Sequence, residues 1–340
     1  MLTLPILPMK KKLNCIGVLT SGGDAPGMNA AIRAVVRYSY AQKCTVKGIL
    51  RGYSGILERK LIELGPSSVA NIIQRGGTIL KTDRCEAFFR KSTREKAAKN
   101  LIKEGIEGLV VIGGDGSFTG AHLLENETGF PVIGIPGTID NDIALTDDTI
   151  GFDTAVNTAI QAIDRIRDTA SSHDRIFLVE VMGHSSGFIA TQVAIGGGAE
   201  TVILPEKLHE RKEPKDYIKN ICETIDRGVS RGKTSSIIVV AEGPKPGLSS
   251  RISENLSKRG YPSRVCILGH TQRGGSPTAH DRVLASFLGT SAVAYLLAGN
   301  SNSMVGVQNN EIALVPFDQV IGHKKKIPSE LLVLAQILAS

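Results

Sequence analysis

The stretch Leu109-Val110-Val111-Ile112-Gly113-Gly114-Asp115-Gly116-Ser117 indicates the fold class of this chain. Its first four residues are apolar, as in a buried strand, and glycines surround a carboxylate and a hydroxyl where that strand ends. Glycine lets backbone N–H groups approach an anion closely, and an aspartate can hold a magnesium ion. The stretch therefore predicts a buried strand of an α/β sheet that ends in a phosphate-binding loop.

A second stretch of the same kind is Pro131–Asp142, in which an apolar strand leads into Pro136-Gly137-Thr138-Ile139-Asp140-Asn141-Asp142. The carboxylate of Asp140 follows a buried strand and can accept a proton from an alcohol, which leaves Asp115 for a metal ion. A polyphosphate site beside a candidate base is typical of a phosphoryl transferase.

The composition is that of an ordinary globular protein, with 340 residues, of which 41% are hydrophobic and 21% charged. The absence of tryptophan and the 4% of aromatic residues argue against nucleic-acid binding by base stacking, although the net charge is +7. The five cysteines form no CxxC pair, which favours reduced thiols and a cytoplasmic location without a zinc site. Residues 1–12 are expected to be an unstructured lead-in, and no apolar run is long enough to cross a membrane.

Strand and helix patterns alternate along the chain, which predicts an α/β protein with two similar Rossmann-like lobes and mainly parallel sheets. The larger lobe is expected to comprise 1–151 and about 271–315, the smaller 152–270 and about 316–340, with the active site in the cleft between them. A capping box, Ser92-Thr93-Arg94-Glu95, is predicted to open a helix. The other predicted strands are Cys15–Leu19, Ile176–Met182, Thr201–Leu204, Ser236–Ala241 and Val265–Leu268. The other predicted helices are Asn29–Tyr38, a long helix from Phe152, Pro214–Gly228, Ser249–Arg259 and Asp281–Ala298.

Three features leave two interpretations open, whereas the motif Gly228–Thr234 does not. Thr20–Asn29 is either a glycine turn with an asparagine cap or a nucleotide-phosphate loop. Gly228–Thr234 is one residue short of a P-loop and leads into a strand, so it is not expected to bind phosphate as a P-loop does. His270 is either a ligand or a core histidine. Four arginines in turn-like positions are either surface charges or a sugar-phosphate clamp, namely Arg84, Arg175, Arg264 and Arg273.

Several of these segments, in this order and spacing, resemble the bacterial ATP-dependent 6-phosphofructokinases, and the resemblance runs from about Lys12 to about Val307. The matching segments are Thr20–Asn29, Gly113–Ser117, Pro136–Asp142, Glu180–Gly183 and Gly269–Pro277. The resemblance implies transfer of the γ-phosphoryl group of ATP to the 1-hydroxyl of fructose 6-phosphate, with Mg²⁺.

The resemblance also implies roles for individual residues. Asp140 matches the general base, Thr138 lies beside the transferring phosphoryl group, and Asp115 matches the magnesium ligand. Arg84 is expected to neutralise charge on that phosphoryl group, and Arg273 to bind the 6-phosphate. The ATP-contacting positions are Gly23, Arg84, Cys85, Gly114, Asp115, Gly116 and Ser117. The remaining sugar contacts are Thr138, Ile139, Asp140, Met182, Gly183, His184, Glu242 and His270.

Two further arginines imply shared active sites. Arg175 and Arg264 match residues that, in this family, reach the 6-phosphate from a neighbouring subunit. The resemblance therefore implies that oligomerisation completes the site, and the family is typically tetrameric.

Two glycines concern the phosphoryl donor. Pyrophosphate-dependent relatives usually carry aspartate at the position of Gly116 and lysine at that of Gly137. An aspartate would crowd and repel the α-phosphate of ATP, so both glycines favour ATP. A pyrophosphate-dependent kinase and a non-catalytic anion-binding regulatory subunit are the alternatives.

The chain departs from the family pattern at a few positions. His184 stands where arginine is common, which weakens the expected phosphate contact. The family's effector pocket, which binds ADP or phosphoenolpyruvate between subunits, is matched by Arg33, Arg37, Arg167, Glu200, Arg231 and Lys233. Pro66 and Asn71 replace an arginine and an aspartate of that pocket, which predicts weakened or altered effector binding.

Overall fold

The structure is a computed structural model that describes residues 2–5, 7–8, 12–171, 175–206 and 215–339. The described part of the 1–12 segment contains no helix or strand. The predicted start of a helix at Pro214 lies outside the described residues. Among the helices that the structure describes, none is both long and apolar enough to cross a membrane.

The chain divides into two compact units. The first unit comprises Met1–Ile139, Ile143–Asp153 and Arg273–Lys325, and the second comprises Asp140–Asp142, Thr154–Gln272 and Lys326–Ser340. Residues 316–325 thus belong to the first unit, whereas the sequence places them in the smaller lobe. The reason is a packing contact within the first unit, because the ring of Phe317 is fully buried and lies 5.4 Å from that of Phe118.

The sheet of the first unit has seven strands in the order β11-β10-β5-β4-β1-β2-β3. The strands are β1 (Cys15–Thr20), β2 (Thr45–Ile49), β3 (Leu61–Leu64), β4 (Gly108–Gly113), β5 (Val132–Pro136), β10 (Ser303–Gln308) and β11 (Glu311–Pro316). All pairs are parallel except β2–β3 and β10–β11, which are antiparallel. The central strands β1, β4 and β5 are buried along their whole length, which explains their continuous apolar runs.

The helices associated with this sheet include two that pack closely together. These helices are α1 (Met28–Ala41), α2 (Gly52–Glu58), α3 (Lys91–Lys103), α4 (Asp115–Thr128), α9 (Ala279–Leu297) and α10 (Phe317–Val320). Helix α9 approaches α1 at Gly289, where an added Cβ would lie 2.7 Å from the Ala31 carbonyl oxygen. Helix α3 begins at Lys91 with Arg90 as its N-cap, which makes no side-chain cap bond, so the predicted capping box is wrong. The backbone is already helical before Ser92, which leaves that serine inside the first turn.

The second unit has a four-stranded parallel sheet in the order β7-β8-β6-β9. Its strands are β6 (Ile176–Val181), β7 (Thr201–Ile203), β8 (Ser236–Ala241) and β9 (Ser263–Ile267). Its helices are α5 (Phe152–Ser171), α6 (Phe188–Gly196), α7 (Lys215–Ser230), α8 (Leu248–Ser257) and α11 (Ser329–Leu338). The core contains Leu178, Ile238 and Ile252, all essentially inaccessible to solvent. The prediction of α/β architecture with mainly parallel sheets is confirmed.

Candidate active site

Three loops meet at the carboxyl ends of the neighbouring strands β1, β4 and β5. The Ser21 N–H donates to the Ile112 carbonyl at 3.0 Å, and the Gly137 N–H donates to the Gly113 carbonyl at 3.0 Å. These bonds continue the strand pairing by one residue and hold the loops side by side. The carboxyl ends of parallel strands are where α/β sheets bind ligands.

Glycine is required at the centre of this edge. A Cβ added to Gly113 would lie 2.5 Å from the Ser117 Oγ and 2.6 Å from the Ser21 carbonyl oxygen. At Gly114 the nearest atom to an added Cβ would be the Thr138 Cβ, at 3.9 Å. The β4 and β5 loops that the sequence singles out are therefore adjacent. Gly116, by contrast, faces open space, as the expected fit to ATP requires.

Helix α4 begins directly at the β4 loop, with Gly114 as its N-cap and Asp115 in its first turn. Its 14 residues direct free N–H groups and the positive end of the helix dipole toward the loop. Ser117 is buried, and its carbonyl accepts a 2.6 Å hydrogen bond from the Tyr53 hydroxyl. Burial raises the pKa of Tyr53, so this hydroxyl remains a donor at neutral pH. The start of α4 is thus fixed by a buried hydrogen bond from α2.

Asp115 is the carboxylate of this edge that best fits a metal ion. Its side chain is exposed, and its Oδ1 accepts a hydrogen bond from the Gly322 N–H at 3.2 Å. Among the described residues, no group of three or more His, Cys, Asp or Glu side chains could hold a metal by itself. One carboxylate together with phosphate oxygens and water is the coordination that Mg²⁺ prefers.

The Thr20–Asn29 segment has a conformation that the sequence left open. Gly22 and Gly27 have φ values of +85° and +110°, and Gly27 rather than Asn29 is the N-cap of α1. Asn29 lies inside the helix and is 1% exposed, so the asparagine-cap interpretation is wrong. Its side chain instead bonds to a distant backbone segment at 75–79.

Arg273 lies against this β1 loop. A Cβ on Gly23 would be 2.5 Å from the Arg273 Nη1, which donates to the Asp24 carbonyl at 3.2 Å. The segment before Arg84 is tied to the same loop, because the Thr82 hydroxyl donates to the Gly22 carbonyl at 2.6 Å.

The side chains that follow Thr82 differ in exposure. Arg84 is exposed, whereas Cys85 is half-buried against the apolar core. The structure therefore brings Gly23, Arg84 and Arg273 into one region of the first unit, together with Gly114, Asp115, Gly116, Ser117, Thr138 and Ile139.

Asp140 belongs to the second unit and is half-buried. Its carbonyl accepts a 2.9 Å bond from the Ser186 hydroxyl, and the next residue, Asn141, has a φ of +48°. Two residues before it, the Thr138 carbonyl accepts a 2.6 Å bond from the Thr149 hydroxyl. The backbone on both sides of Asp140 is therefore fixed by side-chain donors.

The predicted sugar-contact residues Met182, Gly183, His184 and Glu242 lie at the carboxyl ends of β6 and β8 of the second unit. The Met182 N–H donates to the Gln272 Oε1 at 2.8 Å, and the His184 N–H donates to the Glu242 Oε1 at 2.8 Å. Between them Gly183 has a φ of +143°, and an added Cβ would collide with the Ser186 carbonyl. These contacts bring Met182, Gly183, His184 and Glu242 together in one small cluster.

His270 lies in the one-turn 3-10 helix Gly269–Gln272, which follows β9. Its side chain is exposed, so the core-histidine interpretation is wrong. A ligand role stays a prediction.

Arg175 and Arg264 lie away from that cluster. Arg175 precedes the first residue of β6, and Arg264 is the second residue of β9, paired with Phe177. Met182–His184 follow the last residue of β6, so the six-residue strand separates them from Arg175 by about 20 Å along its axis. The structure does not bring these two arginines to the Met182 end of the sheet.

The residues predicted to bind an effector fall in both units, with Arg33 and Arg37 on α1 and the others in the second unit. The buried Glu200 carboxylate lies 3.6 Å from the Lys233 Nζ and accepts a bond from the Ile237 N–H at 2.6 Å. Arg167 donates to the Gly197 and Gly198 carbonyls, and Arg231 is exposed near Lys233.

Three further residues position this site although the sequence patterns do not single them out. Gln272, Ser186 and Gly322 each bond to the backbone or side chain of a predicted site residue. Gln272 lies inside the Gly269–Pro277 motif, which is the one available signal; Ser186 and Gly322 stand in no motif singled out by the sequence.

Comparisons with known proteins identify the family of this chain. The family model described as Phosphofructokinase matches residues 15–296. The chain is 55% identical over 328 residues to the ATP-dependent 6-phosphofructokinase 1 of Thermus thermophilus, covering 95% of this chain and 99% of that protein. It is 52% identical over 329 residues to the ATP-dependent 6-phosphofructokinase of Thermoanaerobacter sp., covering 96% of this chain and all of that protein.

Solved structures show the same similarity. A phosphofructokinase structure from Saccharomyces cerevisiae superposes with a TM-score of 0.85 at 34% identity over 96% of this chain, which spans about half (48%) of the yeast chain. A pyrophosphate-dependent phosphofructokinase from Nitrosospira multiformis gives a TM-score of 0.83 at 18% identity, covering 96% of this chain and 92% of that one. This second likeness concerns the fold alone.

Proposed function

The chain belongs to the phosphofructokinase family, and from that premise we propose how its own residues carry out the reaction. It phosphorylates fructose 6-phosphate with ATP, a reaction of glycolysis. The products are fructose 1,6-bisphosphate and ADP. The observation that carries the proposal for the residues is the convergence of the β1, β4 and β5 loops at one sheet edge.

The β4 loop and the start of α4 bind the phosphate groups of ATP. Gly114, Gly116 and Ser117 lie at a helix N-terminus, where negative charge is stabilised, although the Ser117 N–H itself bonds to the Gly114 carbonyl. Arg84 is exposed on the neighbouring segment and supplies a positive charge to the transferring phosphoryl group. Gly23 and Cys85 complete the nucleotide contacts. The open space at Gly116 accommodates the α-phosphate.

Asp115 holds Mg²⁺ together with the phosphate oxygens. When bound, the ion neutralises charge on the phosphoryl group as that group is transferred. The Gly322 N–H bonds to one carboxylate oxygen and fixes the side-chain orientation.

Asp140 acts as the general base. It accepts the proton of the 1-hydroxyl of fructose 6-phosphate as the oxygen attacks the γ-phosphorus, and the bond from that phosphorus to ADP breaks. The Ser186 bond to its backbone carbonyl fixes its position, and Thr138 and Ile139 precede it at the β5 loop. Met182, Gly183, His184, Glu242 and His270 contact the sugar, and Arg273 binds the 6-phosphate.

Replacing the base tests this assignment directly. We expect Asp140→Ala to lower kcat by about 10²-fold or more while leaving the affinity for ATP nearly unchanged, because only proton transfer is lost. The measurement is steady-state kinetics with ATP and Mg²⁺, with binding of an ATP analogue as the second readout. Near-normal turnover of the variant would contradict the assignment.

Arg175 and Arg264 act on the active site of a neighbouring subunit in a homotetramer. The support is their place at the amino ends of β6 and β9, about 20 Å along the strand from Met182. Mixed oligomers of Asp140→Ala and Arg264→Ala subunits test this proposal, because some mixed sites then contain neither defect. Activity should reappear on mixing two inactive proteins, and its absence in mixed oligomers would refute shared sites.

Effector binding is the last part of the proposal. We expect Arg33, Arg37, Arg167, Glu200, Arg231 and Lys233 to contribute to a pocket between subunits that binds ADP or phosphoenolpyruvate and is altered by Pro66 and Asn71. The support is the pairing of Glu200 with Lys233 beside the exposed Arg231. Assays with each compound added should show a response weaker than that of relatives with arginine at the position of Pro66.

The enzyme is expected in the cytoplasm, which the five free thiols of the chain support. Cell fractionation tests this location.

A further inference from the structure

We propose that Asn29 is a positioning residue for phosphoryl transfer. Its buried amide fastens residues 75–79, and through them the segment that carries Arg84, to the first turn of α1. This inference rests on the function proposed above for Arg84 and Arg273. It concerns a residue that touches neither substrate.

The amide of Asn29 uses both its donor and its acceptor side. Its Nδ2 donates to the Arg75 carbonyl at 3.0 Å and to the Gly76 carbonyl at 3.2 Å, and its Oδ1 accepts from the Ile79 N–H at 2.8 Å. Asn29 is 1% exposed, whereas Arg75 is exposed and Gly76 and Ile79 are half-buried, so these bonds lie at the boundary of the buried interior. A side chain without an amide would leave three backbone groups of this segment without a partner.

The segment depends on such bonds because it has no regular structure of its own. Residues 65–85 contain neither helix nor strand, although they connect β3 to the 3-10 turn that follows Cys85. Two further bonds hold the end nearer Arg84. The Thr20 hydroxyl donates to the Lys81 carbonyl at 2.9 Å, and the Thr82 hydroxyl donates to the Gly22 carbonyl at 2.6 Å. Asn29 holds the middle of the segment, at residues 75–79.

The same segment also contacts the loop that carries Arg273. A Cβ on Gly76 would collide with the Gly275 carbonyl, and the Ser276 hydroxyl donates to the Gln74 carbonyl at 2.8 Å. Arg273 in turn lies against Gly23. A shift of residues 75–76 would therefore reach both arginines, and a displacement of about 1 Å in a phosphoryl-transfer site costs about 10²-fold in rate.

The test compares two buried or half-buried asparagines of the same unit. Asn100 donates from its Nδ2 to the Ile56 carbonyl at 3.0 Å and to the Leu57 carbonyl at 3.4 Å, and thus joins α3 to α2 away from the site. Kinetics and thermal stability are measured for the full-length Asn29→Ala and Asn100→Ala variants. We expect both to lose stability, but only Asn29→Ala to lose about 10²-fold in kcat/KM for ATP. A wild-type kcat/KM for Asn29→Ala would overturn the proposal.

If Asn29→Ala does not fold, a variant whose side chain has nearly the shape of asparagine can be tested instead. Asn29→Asp keeps the oxygen that accepts from the Ile79 N–H. It replaces the donating Nδ2 with a second oxygen, which faces the Arg75 and Gly76 carbonyl oxygens. When protonated, this carboxyl donates one bond again, and burial raises its pKa toward the working range. Its activity relative to wild type should therefore rise as the pH falls. A pH-independent ratio would count against the positioning role.

Hydrogen exchange separates this inference from the proposed function. Without substrates, the Ile79 amide should exchange roughly tenfold faster in Asn29→Ala than in wild type, and at the wild-type rate in Asn100→Ala. Unchanged protection at Ile79 would overturn the proposal even if the enzyme is active. If wild type made no fructose 1,6-bisphosphate, the proposed function would fail while the exchange result still tested the fastening by Asn29.

Discussion

At the edge formed by the carboxyl ends of the seven-stranded sheet, hydrogen bonds between backbone groups hold the loops to one another. At the corresponding edge of the four-stranded sheet, side chains hold the loops. In the first unit the Gly137 N–H bonds to the Gly113 carbonyl, and no Cβ fits at Gly113. In the second unit the N–H groups of Met182 and His184 bond to Gln272 and Glu242. Under the proposed function, the edge held by backbone contacts binds the polyphosphate and the edge held by side-chain contacts binds the sugar.

The comparison predicts its largest effect at the backbone-held edge. Gly113→Ala should lower kcat/KM for ATP by about 10²-fold, because the new Cβ lies 2.6 Å from the Ser21 carbonyl and must displace the β4 loop. Steady-state kinetics and thermal unfolding give the measurement. Gly116→Ala is the matched control, since its Cβ faces open space and the melting temperature should stay at that of wild type. Equal destabilisation by both substitutions would show that close packing does not define this edge.

A smaller effect is expected at the side-chain-held edge. Gln272→Ala leaves the buried Met182 N–H without its acceptor, which costs about 2 kcal/mol of unfolding free energy. Because Met182 contacts the sugar, the KM for fructose 6-phosphate should rise about tenfold while the KM for ATP changes little. The control is Gln308→Ala, which removes a bond to the Leu145 carbonyl within the first unit. A parallel rise in both KM values would mean that Gln272 supports the whole fold rather than this edge.

The smallest effect concerns the ion pair between α3 and the C-terminal end of α4. Arg94 on α3 is 5% exposed and binds Glu127 of α4 through bonds from its Nε and Nη2, each 2.6 Å long. The hydrogen bond from Arg94 lowers the pKa of Glu127 below its ordinary 4.5. Glu127→Gln should cost about 1.5 kcal/mol of unfolding free energy at neutral pH.

The pH dependence of that loss has a definite sign. A lowered folded-state pKa gives stability that is fully present above 4.5 and disappears as the pH falls through the folded-state value. The difference between wild type and Glu127→Gln, measured by denaturant unfolding, should be constant from pH 7 to pH 5 and shrink below about 4.5. A difference that grew in acid would contradict the pairing.

The two edges also differ in how far their residues can be predicted from the sequence. Asp115 and its glycines can be recognised from the residue pattern alone, because an anion site made of backbone requires glycine at fixed places after a strand. The role of Gln272 cannot be recognised in this way, since its partners Met182 and Ala155 are distant in the chain. The local spacing around Asn29 predicts a helix cap, but tertiary contacts determine its partners.

The sequence by itself determined the α/β fold, the strand-end loops, the ATP-dependent family and the identity of the candidate base and metal ligand. These features follow from local patterns, namely apolar runs for buried strands and glycine beside carboxylate for phosphate sites. Only the tertiary structure decided that residues 316–325 join the first unit, that Arg175 lies at the opposite end of β6 from Met182, and that Asn29 binds residues 75–79. Each of these depends on which distant segments pack together, and a buried amide or ring binds whichever partner the fold brings within reach.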